Sequence, residues 1–275
     1  MTKTPDVELI LQARESTGLT RVAFCGGVAI MLSRPAPHRE QPQDNEDAAG
    51  ILRVGSTSGV LAVADGVGGI AGGGKASILA VEVALEFIRG RQDETTALRD
   101  LLVGALDAAN AEVLGFNGAG ATTITLAAVE DGTVRVCNVG DSEALVTGQR
   151  GRIKFRSTSH SPVGYAIEAG LLDANEALHH EERHVVSNTL GSTSMSLDIG
   201  APVTLSTRDT LLLGSDGVFD NVLVDEIVQL ARKGPADAAA EALARHASDR
   251  MAVAEDGQPS KPDDMTLILF RPGGR

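Results

Sequence analysis

The stretch from Ala121 to Gly140 does most to limit the fold: ATTITLAAV, then EDG, then TVRVCNVG, two apolar runs rich in β-branched residues about an Asp-Gly pair. Asp-Gly supplies the positive φ of a tight hairpin, so the two runs read as paired strands. Strands joined this closely are antiparallel, because a parallel return needs a crossover of about a dozen residues or more. EALVTGQRGRIKF (143–155) predicts a second hairpin in the same manner. A doubly wound parallel sheet is thereby disfavoured.

The rest of the chain alternates between the two periods. Phe24 to Leu32 reads as one buried strand, and SRPAPHREQPQDN after it reads as a loop. GVLAVAD (59–65) is a short strand closed by the glycine-rich VGGIAGGGK. Helices are expected over Lys75–Gly90 and Thr95–Phe116, with Ile78, Val81, Leu85 and Ile88 at helical spacing. Residues 157–196 are mixed in pattern and predict a helical excursion over the sheet. DTLLLGSDGVFD is a strand and turn, two helices span roughly 223–250, and MTLILF returns as a final strand. Residues 1–20 are polar and read as an arm or short helix of unknown role, leaving 21–275 as a single domain.

Charge narrows the function. A formal net charge of −13 repels nucleic acid and anionic lipid at long range, so neither is an expected partner and a cationic ligand is. Cys25 and Cys137 are the sole cysteines, too few for a disulfide framework, which suits a reducing compartment. The first residues lack an apolar run of signal-peptide length, and no segment approaches the ~20 apolar residues of a spanning helix. The expectation is a cytoplasmic monomer.

The acidic residues fall where such a ligand could be held. Asp65 ends LAVA, Asp141 follows RVCNVG, Asp216 follows LLLGS, Asp263 and Asp264 open TLILF, and Glu46 and Asp47 begin another strand. Magnesium and manganese prefer oxygen ligands in near-octahedral geometry, which carboxylates fixed at strand ends can supply. Gly66, Gly140 and Gly217 flank these acids and allow close backbone approach. Asp beside Gly is also an ordinary turn signal, so the joint pattern carries more than any one position.

NEDA (45–48), VADGVGG (63–69), GATTITLAAV (120–129), VCNVGDSEALV (136–146), LLLGSDGVFD (211–220) and DDMT (263–266) stand in the order found in type 2C metal-dependent protein serine/threonine phosphatases. The chain resembles that family, in its bacterial form, from about Cys25 to Phe270. The resemblance implies an α+β fold, a four-layer αββα sandwich of two antiparallel sheets flanked by helices. It implies two Mn2+ or Mg2+ ions with a possible third, a metal-activated water as nucleophile, and phosphorylated serine or threonine in proteins as substrate. By the same resemblance Asp65 bridges two metals and the Gly66 carbonyl binds one. Asp216 and Asp263 complete the first site, Glu46 and Asp47 serve the second directly or through waters, and Asp141 helps hold the third. His160, in TSHSPVG, resembles a family histidine that could protonate the leaving alkoxide.

Several positions depart from the family pattern. Pro42 replaces the usual phosphate-gripping Arg, so Arg39, or Arg34 in the same loop, is expected to take over. Val67 stands where a His or Met is usual, and Glu143 where an Arg is usual. Two rival readings remain at this stage. One is a nucleoside-triphosphatase, since Gly69 to Lys75 nearly completes a phosphate loop that Ala76 breaks. The other is a catalytically weak or inactive phosphatase-like module that binds a phosphoprotein or partner, motivated by Pro42.

Overall fold

The computed structural model describes residues 8–13, 18–37, 45–67, 72–91, 96–116, 120–173, 177 and 180–273. The first sheet contains β1 (Glu8–Ala13), β4 (Asp47–Arg53), β5 (Ser58–Asp65), β6 (Ile124–Glu130), β7 (Thr133–Val139) and β10 (Asp198–Ile199), in that order, with β11 (Val203–Thr204) also paired to β7. In the second the order is β2 (Thr20–Phe24), β3 (Gly27–Arg34), β13 (Met265–Arg271), β12 (Thr210–Gly214), β8 (Glu143–Thr147) and β9 (Ile153–Arg156). Every pairing is antiparallel. Both predicted hairpins are present, β6–β7 turning at Asp131 and Gly132 with φ of 49° and 76°.

Three apolar cores separate four layers. Helices α1 (Gly73–Arg91) and α2 (Leu98–Gly115) cover the outer face of the first sheet, with Val81, Leu85, Ile88, Leu102 and Leu106 meeting Val60, Ala62 and Leu126. Between the sheets lie Ile51, Leu61, Val63, Val146, Leu213 and Ile268. The short α3 (Pro162–Glu168) and α4 (Asp216–Phe219) come between strands, and then α5 (Val224–Ala231) and α6 (Ala236–Ala252) cover the second sheet. The face of α6 that packs there is Ala239, Ala240, Leu243, Ala244 and Ala247, small enough for close approach. The αββα sandwich is therefore present, and its antiparallel β5–β6 pair, joined through α1 and α2, is not the βαβ unit that a phosphate loop requires.

Three expectations change. Glu8–Ala13 is a strand pairing with β4 from Glu8↔Arg53 to Ala13↔Ala48, where an arm or short helix was expected. The Phe24–Leu32 run turns at Cys25 and Gly26, with φ of 45° and 71°, and so contributes the end of β2 and most of β3. The described residues of 157–196 are helical at α3, at Ala177 and at a turn of 3-10 helix, Glu181–His184, and are otherwise irregular or extended.

The two thiols are structural. Cys137 is fully buried against the helices, and burial pushes its thiol up to about 11 despite the opposing charge of Arg135. Burial, reinforced by Asp131, raises the Cys25 thiol further.

Candidate metal centre

Period two explains how the acids converge. Along β5, Val60, Ala62 and Ala64 face the helices, whereas Leu61 and Val63 face the inter-sheet core. Asp65 continues the second series. On β4, Ala49 and Ile51 face inward too, and Asp47 continues that series. Asp47 and Asp65 are directly opposed in the register, so two carboxylates share one face at the end of the inner core. Like charges opposed across a strand pair are destabilising unless something neutralises them.

The second sheet meets them with Asp216, two residues beyond β12, and Asp263, two residues before β13. Glu46, Asp65, Gly66, Thr123, Asp141, Asp216, Asp263 and Asp264 are among the residues around a cleft of about 210 Å3. Six expected metal residues, Glu46, Asp65, Gly66, Asp141, Asp216 and Asp263, thus share it, with Asp47 beside Asp65 behind them.

Local hydrogen bonds hold the backbones and leave one oxygen each of Asp47, Asp141 and Asp216 available. The Asp65 amide donates to the Thr123 hydroxyl (3.0 Å), and its carbonyl accepts from the Thr123 amide (2.8 Å) and the Thr122 hydroxyl (2.7 Å). Ser215 donates to Asp47 Oδ2 at 2.8 Å, and Asp264 accepts from the Ala36 and Glu46 amides at 2.8 and 2.7 Å. Gly66 abuts the start of α1 so closely that a Cβ there would lie 2.4 Å from the Gly73 carbonyl carbon. Gly140 has φ +101° and a built Cβ only 2.5 Å from Thr123, so both angle and space demand glycine before Asp141.

The electrostatics are those of an anion cluster short of counter-charge. Desolvation, then Asp216, Asp47, Asp141 and Asp263, raise the carboxyl of Asp65 well above the ordinary range. Burial followed by Asp264 does the same for Asp47, and burial followed by Asp216 and Asp220 for Asp141. Asp263 is raised by burial and Asp216, and Asp220 is pushed up to about 7 by burial and then Asp216. Asp47 Oδ1, Asp141 Oδ1 and Asp216 Oδ1 are buried with no hydrogen-bond partner. Orphaned hard oxygens in a shared cleft are the donor set a divalent cation fits. Among the described residues no three His, Cys, Asp or Glu groups are already closed into a metal-binding shell. Lys261 reaches in instead, its ammonium in contact with Asp216, Asp263 (3.2 Å) and Asp220 (3.3 Å).

Other expected residues sit elsewhere. His160 is 1% exposed and does not line the cleft. Its Nδ1 accepts from the Gly140 amide (3.2 Å) and faces Asn188 Nδ2 (2.7 Å), so the ring proton lies on Nε2, 3.1 Å from Asp198 Oδ2. Nδ1 thus braces the turn before Asp141, while Nε2 is turned to Asp198. Arg34 pairs with Glu241 on α6 at 2.9 Å and is held away from the cleft. Arg39 and Pro42 lie outside the described residues. Glu143 forms a bidentate pair with Arg156 (2.5 and 2.9 Å), the altered ion pair the sequence suggested.

Lys261, Asp220 and Ser215 were not anticipated. Asp220 follows Asp216 by one helical turn and could have been found by that spacing, whereas a lysine before proline carries no signal of burial. A second cavity of about 320 Å3 adjoins the cleft through Asp141, with Val163, Ile167, Phe219 and Leu223 in its apolar wall and Arg183 beside Asp220.

A family model described as Protein phosphatase 2C matches residues 35–255. The serine/threonine phosphatase stp of Listeria monocytogenes is 28% identical over 201 residues, covering 68% of this chain and 77% of that protein. The solved PPM Ser-Thr phosphatase MsPP from Mycobacterium smegmatis, in complex with cacodylate, is 27% identical with a TM-score of 0.71, covering 89% of this chain and 98% of that one. The catalytic domain of the serine threonine protein phosphatase PstP, solved with two manganese ions, has the same fold at 20% identity and a TM-score of 0.70, covering 97% and 100%.

Proposed function

Because this chain belongs to the protein phosphatase 2C family, and is thereby a metal-dependent protein serine/threonine phosphatase, we propose that its acidic cleft holds two Mn2+ or Mg2+ ions through its own carboxylates. Asp65 would be shared by both sites, Asp216 and Asp263 would complete one, Glu46 and Asp47 would serve the other, and the Gly66 carbonyl would be a further ligand. The carrying observation is the opposed Asp47↔Asp65 pair, placed beside Asp216 with an unpartnered oxygen on both Asp47 and Asp216. The two manganese ions of the PstP domain support the count. When bound, paired divalent cations lower the pKa of a shared water and offset the charge of the phosphoryl oxygens during in-line displacement.

The chain's own groups prepare that step. Ser215 fixes one oxygen of Asp47 and leaves the other free. Thr122 and Thr123 pin the Asp65 backbone, so its carboxylate swings only about χ1 and χ2. His160 positions the Gly140–Asp141 turn, and Asp141 serves any third, weaker ion. Arg39 is our candidate for gripping the substrate phosphate. No thiol is needed as nucleophile. The same reading takes one domain working as a monomer in the cytoplasm, with neither nucleic acid nor membrane as partner, and its boundary moves from residue 21 to include β1, which pairs with β4; no described helix is long and apolar enough to cross a membrane.

The test is Mn2+-dependent release of phosphate from a phosphothreonine peptide. Rates for Asp65→Asn are expected to fall about 10²-fold or more, the scale of removing one preorganised electrostatic contact. Hydrolysis that survives excess EDTA would overturn the metal mechanism.

A further inference from the structure

Lys261 is held in a manner unlike a surface lysine. Asn221, fully buried, brackets its backbone, accepting from the Lys261 amide (2.6 Å) and donating to the Lys261 carbonyl (2.9 Å) and the Gly217 carbonyl (3.0 Å). The Lys261 side chain is 16% exposed, and its ammonium meets three carboxylates, Asp216, Asp220 and Asp263. An ammonium offers three donors, so each can take one carboxylate. Two of these acids are proposed metal ligands. The third, Asp220, has no part in that proposed pair of sites and is otherwise a carboxylate buried among like charges.

We propose that Lys261 is a tethered cation of the metal cleft, its ammonium taking the place between Asp216, Asp220 and Asp263 that a further divalent ion would otherwise fill. The inference rests on the two-ion reading above. Geometry supports it. Asp216 Oδ2 is committed to the ammonium, while Asp216 Oδ1 faces none of the chain's donors, so one carboxylate is divided between a fixed charge and an open ligand position. A permanent single charge here offsets repulsion without needing a third ion from solution.

Lys261→Met keeps most of the length of the side chain and removes the charge; Lys261→Arg keeps the charge. Mn2+ bound per chain is counted by electron paramagnetic resonance of the free ion and by calorimetric titration of the whole chain. Lys261→Met is expected to bind one more Mn2+ than the parent, Lys261→Arg the same number, and Asp220→Asn in the Lys261→Met background to lose the added ion. Equal counts and affinities in the parent and Lys261→Met would overturn the role of Lys261, as would an extra ion indifferent to Asp220. A parent chain that binds no Mn2+ would instead sink the two-ion reading on which it rests. Thermal melting without metal checks that each variant is folded.

Discussion

Two sets of buried carboxylates in this molecule have opposite fates. Along the β8–β9–β12 side, Glu143 and Asp209 each keep only 4% of the side chain exposed, and each has its own cation: Arg156 for Glu143, Lys154 at 2.6 Å for Asp209. Asp209 also accepts from the Ser206 amide at 2.7 Å. At the end of the inter-sheet core, Asp47, Asp65, Asp141, Asp216, Asp220 and Asp263 crowd together with Lys261 as the basic group in contact. A carboxylate retained for architecture is given a partner by the fold. One retained for chemistry is left wanting, and the shortfall in positive charge is the physical signature of the site.

The contrast predicts opposite outcomes for the same kind of substitution. At the cleft, Asp65→Ala is expected to abolish hydrolysis while making the metal-free fold more stable by about 1 kcal/mol, the scale of relieving its like-charge contact with Asp47. Urea unfolding in EDTA measures the second effect, and a loss of stability there would break the comparison. At the paired set, Glu143→Gln leaves Arg156 without its carboxylate. We expect a loss of about 2–3 kcal/mol, below the 3–5 typical of a fully buried pair because Arg156 keeps a third of its side chain in solvent. Hydrolysis by that variant stays within about tenfold of the parent once it is folded.

A smaller effect sharpens the comparison through pH. An acid whose pKa is higher in the folded chain binds more protons folded than unfolded, so stability falls as pH rises between the two values. For Asp220 that window runs from 3.8 to about 7. The melting temperature without metal is therefore expected to drop from about pH 4.5 to about pH 7, by about 2–4 °C for each kcal/mol in a chain approaching this size. Saturating Mn2+ should flatten or reverse the drop, because the ion binds the deprotonated carboxylates of the folded state. A metal-free melting temperature that climbs over this range would contradict the unbalanced charge.

What could be read from residues alone was what local rules govern. The Asp-Gly turn, the short apolar run of β5 and the helical spacing of Val81, Leu85 and Ile88 each act over a few residues, and the sandwich and its acid-tipped strands follow from them. Distant pairing was hidden. β1 exists because Glu8–Ala13 finds the edge of β4, about 40 residues away. His160 looks like a loop residue until Asn188 and Asp198 arrive from another segment to occupy both ring nitrogens. Lys261 is invisible for the same reason: Asn221, which fixes its backbone, lies 40 residues earlier.

The state of the two sulfurs bears on how the chain endures oxidative stress. Cys137 is sealed beneath the helices, the Cys25 thiol is held protonated by burial and Asp131, and neither borders the cleft. Peroxide attacks thiolates, so an enzyme relying on a sulfur nucleophile is silenced by it. With oxygen ligands proposed for the corresponding work, neither thiol is a route by which peroxide would stop dephosphorylation by this chain.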